Sequence, residues 1–492
     1  MTAPAATPSV LTADDQPIHT HPDYDRLLPE WTKVRDLLGG TTAVKARRTL
    51  YLPKHEAELD KDYEVRLKLG VLYNGFKRTL GAMTGLVTQR DVELGEEASE
   101  VMRQHWETID GRGLHGAVFA RRLLHEGLAT NHAGVLVDVP ALAPATTPRS
   151  KAEERQLGVR PFWRLYRAED IRDWDYTTDA GETVLRLLLL REAFYDRAAR
   201  FRVQEVTQYR VFEWHGPSQI TWELWREVAT GGVRRAERLK SGVVVGPRRI
   251  PFAFFHPAEF AGLPPLIDLA DLNLAHYRTD TDRRHLMRIG CLPVPVRIGY
   301  QKRDKEPEKP WGTNTLQDVP TGGDVKWAEI TGAAFEVTGK DLQMIEARMG
   351  AMGLAFLQPE TRGTETAEAK RIDATAQNAT LASSARALQD TLEMAAGFHA
   401  EYLKADPVSI SVPTDFERTV MSPEMIGALS RLEVAGQLSL ETLLRAFKTG
   451  HVLGDDVDLD HEIARILADR ATRTTAGDGG ANGDGDPGGE VV

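Results

Sequence analysis

From Glu365 to Leu403 the chain carries no proline, a single glycine and many alanines, a composition best satisfied by one long helix. Roughly 38 residues at about 1.5 Å each make a rod of about 57 Å, beyond the usual helix length of a globular domain. Small residues at Ala376, Ala379, Ala382 and Ala385 predict an inner face that a neighbouring backbone can approach closely.

Two further helices are predicted ahead of that rod. The first covers Pro264–Arg288. Pro264 and Pro265 suit a helix start, where proline's missing N–H costs nothing, and Asp268 complements the helix dipole. Leu266, Leu269, Leu272 and His276 share one face, and beyond Tyr277 the sequence turns charged. The second covers Asp341–Leu357, with Leu342, Ile345, Met349, Met352 and Phe356 spaced three, four, three and four. Thr338 and Asp341 read as its capping box. Its methionines fit either core filling or a surface that must repack and slide.

Between these helices, Cys291–Val337 is studded with Pro293, Pro295, Pro307, Pro310 and Pro320, and carries Lys302, Arg303, Lys305 and Lys309. It reads as a projecting subdomain of short strands or as a long surface insertion. Pro359 stops the second helix. Gln358–Thr364 then forms a polar loop holding Glu360, Thr361, Arg362, Gly363 and Thr364.

The rest of the chain predicts an α+β fold. Met1–Pro22 reads as a flexible arm. Asp23–Leu86 looks helical, with Val71, Leu72, Phe76, Leu80 and Met83 at helical spacing, and a further helix covers Glu97–His125. Ala133–Val139 is a buried strand, and Pro140–Gln156 an exposed loop. Leu185–Leu190, Glu205–Trp214 and Ile220–Glu227 predict a mixed or antiparallel sheet, with Gly246–Phe255 as an edge strand or turn entry. After a short strand at Val408–Val412 come helices near Pro423–Ala435, Ser439–Thr449 and His461–Thr472. The Gly/Asp/Asn-rich Ala476–Val492 is expected to be disordered.

Charge and motif content exclude several classes. The net charge of −11 opposes tight nucleic-acid binding, which draws on a basic surface and counterion release. No apolar run is long enough for a membrane span, and the N-terminus lacks the basic and apolar regions of a secretory signal. Cys291 is the single cysteine, so no disulfide framework or cysteine zinc cluster forms within the chain. There is no G-x-x-x-x-G-K-[ST], H-E-x-x-H or G-x-S-x-G. The expectation is no enzyme and no cofactor.

Two weaker signals remain. The acidic run Asp455–Asp460 with Glu462 invites a calcium reading, or a metal-dependent hydrolase using Asp456, Asp458, Asp460 and Glu462. An EF-hand loop, however, needs glycine where His461 stands, and a solvated turn capping the next helix fits better. His115, His125 and His132 show no ligand spacing and read as structural.

The order of these segments resembles a known family. Tyr24–Val34 (Y-D-R-L-L-P-E-W-T-K-V), Val71–Val87 (V-L-Y-N-G-F-K-R-T-L-G-A-M-T-G-L-V) and Pro264–Arg278 (P-P-L-I-D-L-A-D-L-N-L-A-H-Y-R), followed by Pro293–Gly299, are similar to tailed-bacteriophage portal proteins. The particular likeness is to a subfamily catalogued as a domain of unknown function (DUF4055), and it spans about Asp23 to Ala468.

The resemblance implies a homo-dodecameric ring at a capsid vertex, with a central channel for double-stranded DNA during packaging and ejection. It implies an N-terminal arm (1–22) and a wing with a mixed sheet (23–262). A stem of two helices (263–289 and 338–357) would pack through Leu266, Leu269, Leu342, Ile345, Met349, Met352 and Phe356. It further implies a small α/β clip (290–337), a tunnel loop (358–364), a long wing helix and strand (365–420), a helical crown (421–472) and an acidic tail (473–492).

Within the clip, Lys302, Arg303, Lys305, Lys309 and Trp311 would meet the terminase large subunit and later the head–tail adaptor. Glu360, Thr361, Arg362, Gly363 and Thr364 would border the DNA. The implied partners also include the major capsid protein and a scaffolding protein, with no membrane. A non-portal virion connector is the remaining alternative.

Overall fold

The computed structural model describes residues 16–140, 159–230, 233–290, 296–298, 317–319, 321–323, 332–354, 367–414, 423–449, 452–454 and 457–477. The chain divides into two units, Met1–Thr414 and Asp415–Val492.

In the first unit, α1 (Pro22–Leu38) starts where the His21 Nδ1 accepts the Asp23 N–H at 3.1 Å. Its apolar positions recur every three or four residues, and Tyr24, Leu27, Trp31, Val34 and Leu37 are all buried. The Trp31 indole donates to the Thr130 carbonyl at 2.9 Å, so this large ring is buried without an orphaned N–H.

The predicted helical stretch after α1 breaks into α2 (Gly40–Ala46), α3 (Asp60–Leu69) and α4 (Gly75–Val87). Asn74 caps α4 by accepting the Lys77 N–H at 2.9 Å. The single helix expected over Glu97–His125 is two, α5 (Glu100–Trp106) and α6 (Gly116–Thr130). Gly111 and Gly113 between them take φ of 71° and 97°, which side-chain-bearing residues rarely adopt. The Asp110 carboxylate fixes that turn by accepting the Arg112 and Leu114 N–H groups.

Two sheets follow. β2 (Ala133–Asp138) lies between β3 (Phe162–Arg167) and β9 (Phe252–Phe255), and β9 is an edge strand. The second sheet is a five-stranded meander of β4 (Ile171–Asp179), β5 (Glu182–Ala199), β6 (Arg202–Trp214), β7 (Ile220–Thr230) and β8 (Val233–Val243). Every pairing in both sheets is antiparallel, the second of the two readings the strands allowed, which corrects the mixed wing sheet that the resemblance implied. Short turns such as Ala180–Gly181 join the meander strands, whereas parallel pairing would need long crossovers. A two-residue pair joins β1 (Glu93–Leu94) to β12 (Ile410–Ser411).

Tyr24, Leu27 and Trp31 of α1 share one core with Leu136, Tyr166, Trp174, Leu188, Phe212 and Phe252. A charged seam crosses it. Arg210 reaches Asp138 at 2.5 Å and Glu192 at 3.1 Å, while the Tyr166 hydroxyl donates to Glu192 at 2.6 Å. Burial would raise the Glu192 carboxyl, but Arg210 and Arg164 hold it below its usual value.

The end of the expected N-terminal arm is fixed. Gln16 accepts the Ala236 N–H at 3.0 Å, Ile18 packs on Leu189, Tyr209 and Trp225, and His21 stacks on Trp174 at 4.4 Å. Residues 1–15 lie outside the described residues.

Three long helices complete this unit: α7 (Ile267–Gly290), α8 (Gly332–Met349) and α9 (Ala367–Leu403). The short strands β10 (Val296–Ile298) and β11 (Gln317–Val319) pair in parallel. On α9, Leu381, Ala385, Leu388, Leu392, Ala395, Ala396 and His399 are buried, and the Thr391 hydroxyl donates to the Phe254 carbonyl at 3.0 Å. Ala382 is partly exposed, and the side chains of Ala376 and Ala379 lie outside those described.

The second unit holds α10 (Pro423–Val434), α11 (Leu440–Thr449) and α12 (Leu459–Gly477). Ser439 caps α11 through the Thr442 N–H, and Gly436 takes φ of 72° after α10. Among the described residues, no helix is long and apolar enough to cross a membrane.

Candidate functional site along a helix pair

The candidate site is the pair α7–α8. The paired positions run in opposite senses: Asp268–Ala275 lies beside Arg348–Met352, and His276–Arg284 beside Gly339–Glu346, so the helices are antiparallel. Pro264 and Pro265 stand just ahead of α7, where the Ile267 N–H donates to the Pro264 carbonyl at 3.1 Å. α8 begins at Gly332, so Thr338 and Asp341 lie inside the helix, which corrects the capping-box reading. A local side-chain pattern gave way there to a helix that continues further toward the N-terminus.

Leu266, Leu269, Leu342, Ile345 and Met349 are buried, as a packed pair requires. Met352 is 52% exposed, against the predicted stripe. The cause is a π-helical turn at Gly350–Leu354, whose wider winding brings Gly353 rather than Met352 onto the buried face. A Cβ on Gly353 would lie 2.5 Å from Thr79 Cγ2 and 3.0 Å from Leu269 Cδ2, so the glycine permits this close approach. Phe356 lies outside the described residues. So do Lys302, Arg303, Lys305, Lys309, Trp311 and the loop residues Glu360, Thr361, Arg362, Gly363 and Thr364.

Buried polar groups fasten the pair to the body. Arg66 of α3, 1% exposed, donates to Glu58 at 2.7 Å, to Asp282 of α7 at 2.8 Å and to the Pro53 carbonyl at 2.6 Å. The Arg66 guanidinium drives the Glu58 carboxyl down to about 2. Asn273 donates to the Tyr73 carbonyl at 2.7 Å and accepts the Phe76 N–H at 2.9 Å, which joins α7 to the start of α4. His276 meets Glu346 across the pair at 3.0 Å.

These fasteners are not legible in the sequence, because each joins residues far apart along the chain. The charged half of α7 beyond Tyr277 was the available signal, and Asp282, held by the buried Arg66, belongs to it.

Among the described residues, His115, His125 and His132 do not gather into a set that could hold a metal. His115 caps α6 by accepting the Ala117 N–H at 3.2 Å. His132 is 1% exposed and stacks on Trp31 at 5.5 Å, with Trp174 at 4.8 Å; burial lowers its pKa far below the usual value. Burial also lowers that of His125. An unpredicted pair joins α5 to α9: His105 Nδ1 and His399 Nε2 are 2.9 Å apart, and the Trp163 indole donates to His399 Nδ1 at 3.2 Å.

In the acidic run, the Asp458 carboxylate accepts the Asp460 and His461 N–H groups, and Glu462 pairs with Arg465 at 2.8 Å. The Asp458 carboxylate caps the start of α12, and that of Glu462 is paired within the helix. Asp455 and Asp456 lie outside the described residues.

Residues 265–403, which hold α7, α8 and α9, match the family model of a domain of unknown function (DUF4055). The match covers less than half of the chain. No curated protein matches. Two solved structures share 12% identity with the chain. One, titled "Neck of empty GTA particle computed with C6 symmetry", covers 79% of this chain and 94% of its own at a TM-score of 0.34. The other, "Virion of native gene transfer agent (GTA) particle", covers 81% and 96% at 0.31. Likeness at this level assigns no role.

Proposed function

We propose that the protein is a non-enzymatic virion component of the portal kind: about a dozen copies ring a channel at the capsid vertex through which double-stranded DNA passes. The observation that carries this reading is the antiparallel pair α7–α8 followed by the long α9. The pair is tied to the body by Arg66 and Asn273, while Val337, Met344 and Met352 of α8 and its π-helical turn stay exposed. Their spacing of seven and eight residues runs them along one side of the helix, which fits a surface covered by a neighbouring copy. The sequence resemblance, carried by Pro264–Arg278 among other motifs, is the second support.

On this reading the pair is the stem, and the segment around Lys302, Arg303, Lys305, Lys309 and Trp311 takes the terminase and then the adaptor. The loop Glu360–Thr364 narrows the channel, with Arg362 its one cation. A net charge of −11 per copy disfavours tight DNA binding and leaves the duplex free to slide. The second unit would form the crown.

Sedimentation of the full-length protein, alone and with its capsid and scaffolding proteins, tests this directly. A particle of about twelve chains supports it, and a monomer under every condition contradicts it.

A further inference from the structure

The two sides of α8 carry different grooves. On one side a cavity of about 630 Å³ is floored by Leu272, Ala275, Ala351 and Met352 and rimmed by Asp268, Asp271 and Arg348. On the other, a cavity of about 480 Å³ is bordered by Val71, Tyr73, His276, Arg283, Arg284 and Glu346. The first presents an apolar trough. The second presents Val71 and Tyr73 as exposed apolar knobs, 47% and 46% accessible.

Several rim charges are already paired within the chain. Asp271 meets Lys33 at 2.8 Å, Arg284 meets Asp280 at 2.6 Å, and Glu346 is held by His276. Asp268 on the first rim is exposed. Arg283 on the second has a buried Nε with no hydrogen-bond partner among the described residues. The Arg283 side chain is only part-buried beside exposed Val71 and Tyr73, so its guanidinium is a charge complement for a carboxylate brought to that border.

We infer that the occupant of each groove is a second copy of this chain. The Val71–Tyr73 knobs of one copy seat in the Leu272–Met352 trough of its neighbour, and Asp268 of that neighbour pairs with Arg283. This rests on the ring reading and names the surfaces that build the ring. The contact is heterologous, because the two matching halves are different patches of one chain, and such contacts propagate until they close.

A geometric consequence follows. Asp268 and Arg283 lie on one helix, about 22 Å apart at 1.5 Å per residue. In a closed ring with every copy at the same height, these two levels meet only if the helix pair is inclined to the ring axis.

The test uses the full chain with Cys291→Ser as background. Cysteines placed by Asp268→Cys and Arg283→Cys in one chain are too far apart to join within it. Under oxidant or a short bifunctional maleimide, the double variant should give a ladder of covalent oligomers. Mixing the two single variants should give dimers, and neither single variant alone should cross-link. A single variant that cross-links to itself would make the contact isologous and overturn the inference.

Charge exchange gives an independent readout. Asp268→Arg or Arg283→Asp alone should weaken association by roughly tenfold, and the combination should recover most of it. Rings in micrographs without a ladder and without charge recovery would discard this interface while leaving the ring intact. No ring and no ladder would discard both.

Discussion

His276 of α7 and Glu346 of α8 stand 3.0 Å apart, and the histidine is almost wholly buried while the carboxylate is half-exposed. This contact is a polar clamp across the pair: the buried ring gains a partner, and the acid stays in reach of solvent. Glu346→Ala leaves the His276 ring unpaired on that side and should destabilise the fold by about 1–2 kcal/mol, whereas Glu346→Gln should cost less. Urea unfolding of the two variants checks the order.

Arg66 gives the larger effect. Arg66→Ala would leave Glu58 buried against α3 with no cation and free α7 from its Asp282 tether. Breaking one partner of a buried pair costs about 3–5 kcal/mol. The first unit should therefore unfold at markedly lower denaturant. An Arg66→Lys chain should recover only part of the loss, since an ammonium cannot reproduce the fork across two carboxylates and a carbonyl.

Two glycines should respond in opposite directions. Gly353→Val forces a side chain against Thr79 and Leu269 and should separate α8 from α4 and α7, lowering stability by about 1–3 kcal/mol. Gly397, inside α9, has open space where a Cβ would sit, with nothing within 4 Å, so Gly397→Ala should stabilise by about 0.5–1 kcal/mol. Differential scanning calorimetry of both variants separates close packing from helix propensity.

Much of the helical plan was readable because it is local. The spacing of Leu342, Ile345 and Met349, and the proline-free run to Leu403, each depend on residues a few positions apart. The start of α8 was not readable, because Thr338 and Asp341 imitate a cap in a helix that begins earlier. Nor was the π-helical turn that exposes Met352, which depends on Gly353 fitting against Thr79. The ties from Arg66 to Asp282 and from His105 to His399 span hundreds of residues, and no local pattern encodes them. The antiparallel sense of the sheets was one of two open readings, settled by the short turns between strands.

The His105–His399 pair predicts a pH dependence. Burial lowers His399 to about 3 and His105 to about 4, against about 6.5 in an unfolded chain. The unfolded state therefore binds more protons below pH 6.5, and stability should fall from there down to about pH 4 through His105 and on to about pH 3 through His399. The slope is up to about 1.4 kcal/mol per pH unit for each ring. Glu58, lowered to about 2, adds its own loss only below about pH 4.5. A His105→Asn variant should flatten the profile between pH 6.5 and 4.5, as read from unfolding midpoints across that range.

If the proposed ring and tunnel-loop roles hold, deleting Thr361–Thr364 should leave assembly intact and impair packaging or retention of DNA. Particle counts and DNA content of assembled heads check it. Normal packaging and retention would remove the role proposed for that loop.

Copies of this chain are proposed to surround an open axis. Class averages of the purified protein by electron microscopy decide between that arrangement and a closed one. Rings of about twelve copies with a bore wide enough for a double helix are expected. Isolated single chains, or an assembly closed at its centre, would contradict it.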